Sequence, residues 1–181
     1  METFTFTHAS YTAHVALFHP VKNAAEIRKR IVEAARMQGE QGEEERQKMD
    51  FAFIEAGLVT SKEHLRTAIH QAVIGESLRT KTVHSEVIFM LNPTNNITES
   101  IRRYGVSDSS NALIVVHITN NTSDVHVEKR MKDVVDGELV PFTDLQTDWD
   151  RVKKYHKLPN LPTSQIDNIV TSTVAIKTVM Q

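Results

Sequence analysis

Residues 112–118, Ala-Leu-Ile-Val-Val-His-Ile, are apolar at every position but one. A strand that faces water on one side alternates apolar and polar side chains. This run does not, so it reads as a strand buried on both faces. Such a strand needs cover above and below. The 181 residues suffice for one domain with a real core. The expected fold is therefore α+β, a single domain over 1–181 with a small, mainly antiparallel or mixed β-sheet packed with several helices.

The helices are legible from their caps and spacing. Residues 12–18 form a β-branched and aromatic strand ending near Pro20. Asn23 is placed to cap a helix, with Glu26 three residues on completing a box-like pattern and Ile27 and Ile31 at helical spacing. Residues 37–50 are rich in Gln and Glu. They read as an acidic insertion, either a solvated helix extension or a mobile loop, before core-like sequence resumes at Phe51. Ser61 caps a helix whose stripe is Leu65, Ala68, Ile69, Ala72 and Val73. Residues 83–91 are expected to be a strand, stopped by Pro93. Asn95 or Asn96 caps the next helix, with Ile97, Ile101 and Tyr104 on a core-facing side and Gly105 as a left-handed stop. Residues 120–122 make a turn. A helix over about 124–135 follows, then an edge strand near 138–142 that includes Pro141. Leu145, Trp149 and Val152 lie at helical spacing. A last helix, capped by Thr163 or Ser164, runs to Met180. Its apolar residues Ile166, Ile169, Val170, Val174, Ile176 and Met180 cover about half its circumference at about 3.6 residues per turn. Either it is wedged between two elements of its own domain, or one face meets a partner.

The segment 78–110 combines a basic approach, an apolar run, a polar turn and a capped helix, and holds no residue set for covalent chemistry. There is no cysteine, which removes disulfides, thiol nucleophiles and cysteine-held metal. The six glycines are too dispersed for a phosphate loop or dinucleotide fingerprint. Nine histidines invite a metal, but His14/His19 and His64/His70 have spacings that do not share a helical face, and His117 reads as a packed or hydrogen-bonded core residue. No metal and no cofactor are expected. The acidic runs read as solvated faces. The start of the chain lacks the pattern of a signal peptide, and no stretch has the length of a membrane span. A nuclear and cytoplasmic protein without membrane contact is expected.

The net charge of −2 excludes a global field that drives the chain onto nucleic acid, so any such contact must be local. Arg79 and Lys81, Arg102 and Arg103, and Lys153, Lys154 and Lys157 are the local cations. Taken singly, each is accounted for by solubility or a helix C-terminus. Taken together, they form a candidate phosphate-contacting patch. Asn95 and Asn96 would add backbone amides, and Tyr155 a ring able to stack on a base.

Several segments in order carry a resemblance: Val21 to Ala24 (VKNA), Arg79 to Thr82 (RTKT), Ser85 to Ile88 (SEVI), Leu91 to Ile97 (LNPTNNI), Tyr104 to Val106 (YGV) and Lys154 to Leu158 (KYHKL). Together they resemble the kinase-binding, TPRKB-like subunits of the KEOPS (EKC) complex, fungal and archaeal relatives included. The stretch 37–50 looks longer and more acidic than usual in that family. The resemblance implies a non-catalytic accessory subunit that binds a small atypical kinase or ATPase. It also implies help in recruiting tRNA by its CCA end for threonylcarbamoyladenosine modification, and fungal relatives are linked to telomere maintenance. On this reading tRNA would meet Arg79, Lys81, Asn95, Asn96, Arg102, Arg103 and Lys154, and the kinase would meet Ile169, Val170 and Ile176. The alternatives are a stand-alone RNA-binding module and, less well supported, an unrecognised small-molecule enzyme.

Overall fold

A computed structural model describes residues 1–75, 77–120 and 126–179. Among these residues five strands form one antiparallel sheet: β1 (Glu2–Phe6), β2 (Tyr11–Val21), β3 (Ala52–Glu55), β4 (Leu113–Thr119) and β5 (Gly137–Val140). The long β2 organises it. One edge of β2 takes β1 along its first half and β5 along its second, and its other edge takes β4, beyond which lies β3. Val116 stands opposite both Val15 of β2 and Ala52 of β3, so the apolar run of 112–118 occupies the interior of the sheet.

Both faces of β4 are covered, as its composition requires. Ile114, Val116 and Ile118 join a core built with α3 (Lys62–Ile74), α4 (Val83–Leu91), α7 (Trp149–His156) and α8 (Thr163–Ile176). Leu113 and Val115 face the opposite core, where Phe18, Phe51 and Phe53 meet α1 (Ala24–Arg36) and α6 (Val127–Val134). The remaining helices are α2 (Gly39–Lys48) and α5 (Ile97–Tyr104).

Several sequence expectations are corrected. Residues 83–91 form helix α4, not a strand, with seven of nine residues buried. A short run that is mostly buried, its polar His84 and Glu86 included, has no apolar period to separate a strand from a helix. The discriminating signal was the start. The Thr82 side chain accepts from the Ser85 amide while Ser85 reaches back to the Thr82 amide, a reciprocal capping box. Asn23 stands at the start of α1 but does not cap it. Its amide group binds the Val134 carbonyl (2.9 Å) and the Asp136 amide (3.0 Å), tying α1 to the segment before β5. Thr163 is the first residue of α8 and Pro162 holds the cap position, so neither Thr163 nor Ser164 caps it.

Gly105 has φ −78°, not left-handed. A side chain there would put Cβ 2.5 Å from the Ile101 carbonyl oxygen, so close approach explains the glycine. Ile97 and Ile101 are 41% and 42% exposed, while Ser100 and Tyr104 face inward. Tyr104 thus faces the core as expected, but Ser100 takes the place beside it that Ile97 and Ile101 were expected to fill. The acidic stretch resolves as α2, folded back on α1 after Gly39 (φ +73°) and held by Arg30 to Glu45 at 2.7 Å and Arg46 to the Ala34 and Met37 carbonyls. The turn expected at 120–122, the start expected for α6 at Asp124, and Met180 lie wholly or partly outside the described residues.

Candidate functional site

The signature loop before α4 is built around a buried acid. Glu86, 2% exposed, accepts from the Arg79 amide (3.0 Å), the Thr80 amide (2.9 Å) and the Thr80 hydroxyl (2.7 Å). Hydrogen bonds from three donors offset the cost of burying a carboxylate. With its backbone fixed, the loop turns the side chains of Arg79 and Lys81 to solvent, Arg79 with its guanidinium 5.8 Å from the Phe89 ring.

Asn95 and Asn96 are also exposed but lie at the other end of α4, whose nine residues span about 13 Å at about 1.5 Å each. Asn96 caps α5 by accepting from the Glu99 amide at 2.9 Å. The 92–96 turn is internally bonded. Asn92 Nδ2 donates to Thr94 Oγ1 (2.7 Å), and that hydroxyl donates to Glu99 (2.6 Å).

A second group forms where α5 meets α7. Arg103 pairs with Glu99 at 2.7 Å and lies 4.3 Å over the Tyr155 ring. That contact joins the two sequence-distant basic segments: Arg102 on α5 and Lys154 on α7 are both exposed beside it. Tyr155 therefore stacks on an arginine of its own chain, and Arg103 is committed to two intramolecular partners. Beneath them Tyr104, fully buried, shares a hydrogen bond of 2.9 Å with His156 Nε2. Burial, aided by the positive Arg103, lowers the His156 pKa to about 4. Burial and His156 lower that of His64 to about 3. Both rings are neutral structural parts.

The last helix divides its wide apolar surface. Ile166, Val170 and Val174, four residues apart, point into the core, and Val170 is 0% exposed. Ile169 (38%), Ile176 (45%) and, just beyond the helix, Val179 (78%) face outward. Of the three residues assigned to the kinase face from sequence, Val170 is thus corrected to core, because it shares the inward i, i+4 row with its neighbours. Ile169 and Ile176 lie on the exposed side.

Among the described residues, one cluster has metal-ligating types: Asp50, His84 and His117. Its geometry argues for a fastener. His84 Nε2 accepts from the Ile118 amide at 2.9 Å, which places the ring proton on Nδ1, 2.9 Å from Asp50 Oδ1. A metal on Nδ1 would need that proton removed and the Ile118 bond broken. His117 Nδ1 lies 3.0 Å from the Asp50 carbonyl. Burial by itself would raise the Asp50 carboxyl, but the hydrogen bond from His84, the neighbouring His84 and His117 rings and the positive Arg130 together hold it below its ordinary value.

Concavities open at the surface of the described residues. One of about 380 Å³ is lined by Thr60, Lys62, Phe142 and Trp149 among others, and one of about 340 Å³ by Gln71, Arg79, Glu86, Met90 and Thr178 among others. Arg79 and Glu86 converge in the second, but Glu86 is occupied by the loop amides. Sequence reasoning missed Glu86, His84 and the buried Lys177. The first two sat in the expected strand, and a lysine near a helix end reads as solvated.

Comparison with known proteins adds the family. The family model described as kinase binding protein CGI-121 matches residues 18–178. A protein of Cryptococcus neoformans named EKC/KEOPS complex subunit CGI121 is 37% identical, covering 92% of this chain and 93% of its own length. Proteins of the same name from Gibberella zeae and Aspergillus terreus are 36% and 31% identical, covering 89% and 92% of this chain and 84% and 85% of theirs. With a family match across most of its length and relatives this similar, the chain belongs to the CGI-121 family of kinase-binding proteins.

Proposed function

We propose that this protein is a non-catalytic subunit of a KEOPS (EKC) complex that docks the complex's small atypical kinase or ATPase and helps to hold tRNA for threonylcarbamoyladenosine modification. The observation that carries the kinase part is the family match over residues 18–178, together with a terminal helix that leaves Ile169 and Ile176 exposed after its core row is satisfied. Isolated apolar side chains at a surface are ordinary. Here they continue one helix face, and Val179 extends it, which suits an apolar partner surface.

The tRNA part is supported by chemistry. Arg102 and Lys154 are exposed on the two helices that the stacked Arg103–Tyr155 pair joins, which leaves these two cations to contact phosphates. Arg79 and Lys81 form a second cationic point, and Asn95 and Asn96 are exposed in the turn, Asn96 with its side-chain oxygen capping α5. Replacing the expected single patch by two lets an extended single strand be held at separated points.

The test is co-elution of the full chain with its cognate small kinase in gel filtration, followed by tRNA binding with and without the terminal CCA. The reading expects a stable pair and weaker binding of the truncated tRNA. RNA binding by a chain that never co-elutes with the kinase would replace it with a stand-alone RNA-binding module.

A further inference from the structure

Lys177 follows the last residue of α8, and its side chain runs inward, leaving it 5% exposed. Its Nζ donates to the Asn92 carbonyl at 2.7 Å and to the Phe89 carbonyl, and lies 3.7 Å from the centre of the Phe89 ring. These oxygens belong to the end of α4, where the final carbonyls lack partners within the helix. A cation at this end is also favoured by the helix dipole. Lys177, just past α8, thus joins the Asn92 amide, which also donates to the Phe89 carbonyl, in capping α4, a helix that Pro93 prevents from continuing.

The connection extends on both sides. Asn92, whose carbonyl takes the lysine, is itself fully buried and binds Thr94, which binds Glu99, which pairs with Arg103. The last turn of α8 is also pinned to α3. Gln71 Nε2 donates to the Ala175 carbonyl (3.0 Å), and the Thr178 hydroxyl donates to Gln71 Oε1 (2.9 Å).

We propose that Lys177 is a positioning residue that locks the end of α8 to the end of α4, making the exposed face of α8 and the polar 92–96 turn parts of one rigid surface. A partner seated on Ile169 and Ile176 then steadies the turn and the first turn of α5. That consequence rests on the partner reading above; the latch itself does not.

The charged groups acting on the ammonium are Arg79, which repels it, and Glu86, which attracts it, while Gln71 on α3 is neutral. Burial, the largest influence, and Arg79 bring its pKa down to about 7. The latch therefore changes charge near neutrality, which supplies a readout that simple packing would not move.

The experiment uses the isotope-labelled full chain as wild type, Lys177→Met, which keeps the apolar stem without the donors, and Lys177→Arg. In the wild type, amide shifts of residues 89–99 titrate with a midpoint near pH 7. Lys177→Met removes that titration and speeds amide exchange at least tenfold in 92–99 and in the last turn of α8, with β2 and β4 unchanged. Faster exchange in α8 alone, or none, overturns the coupling. Should Lys177→Met fail to fold, Lys177→Arg decides: loss of the titration with retained protection of the turn supports the latch, and a persisting titration refutes it. With kinase added, protection spreads to 92–99 in the wild type and not in Lys177→Met. A kinase that binds no variant overturns the partner reading, and the exchange and titration of the free protein then decide the latch by themselves.

Discussion

Acidification should weaken this fold well above the range where carboxylates titrate. His64 and His156 hold folded pKa values near 3 and 4 because burial disfavours their charged forms. In the unfolded chain both return to about 6.5. Between the two values the unfolded state binds more protons, so stability falls as pH falls below about 6.5. Each histidine costs about 1.4 kcal/mol per pH unit once the unfolded ring is fully protonated, and together they cost about 4 kcal/mol between pH 7 and pH 5. His117, also held down by burial, acts in the same direction. Asp50 does not contribute in this window, since its folded value is lowered and its stabilisation is lost only as pH falls through the carboxylate range. Urea unfolding at pH 7 and pH 5, with an unchanged slope, measures the difference. His156→Gln should remove close to half of it. Equal stability at the two pH values would refute the placement of both rings as neutral, His64 fully buried and His156 partly so.

Other perturbations separate core from surface. Val170→Ala should cost about 2 kcal/mol, about 4–8 °C in Tm for a chain of this size, while Ile169→Ala stays within about 0.5 kcal/mol; thermal and chemical denaturation decide. His84→Ala should destabilise by about 2–4 kcal/mol because the Ile118 amide and the Asp50 carboxylate lose their shared partner, and zinc added to the wild type should leave Tm unchanged. Arg102→Glu should weaken tRNA binding and reduce the salt slope by about 1, as measured by affinity at several salt concentrations. Arg103→Glu is a poorer probe, since it would also set two carboxylates side by side with Glu99 and break the Tyr155 stack.

The sheet's interior was readable from residues 112–118, because only a doubly covered strand tolerates that composition. The caps at Ser61 and Asn96 were readable because a short polar side chain before an amphipathic run has few other uses. Residues 83–91 were not, since burial of seven of the nine residues, polar ones included, erases the period that separates helix from strand. The Thr82–Ser85 box was the available clue, and its Ser in place of the usual Glu or Gln hid it. Asn23 looked like a cap because its tie to Val134 and Asp136 spans more than a hundred residues, a distance local reasoning cannot bridge. The candidate site shows the same division. That Arg79 and Lys81 are exposed follows from local chemistry. The meeting of Arg103 with Tyr155, the burial of Val170 and the inward course of Lys177 depend on which helices pack together.

The outward face of α8 is the proposed docking surface for the kinase. Its most direct measurement is the affinity of the cognate kinase for Ile176→Asp, with circular dichroism and Tm recorded on the same preparation. Ile176 is exposed in the free chain, so the variant should fold with an unchanged Tm. A charge at a buried contact should weaken the complex by about 2 kcal/mol or more, roughly thirtyfold. Wild-type affinity in a folded Ile176→Asp protein would contradict the claim.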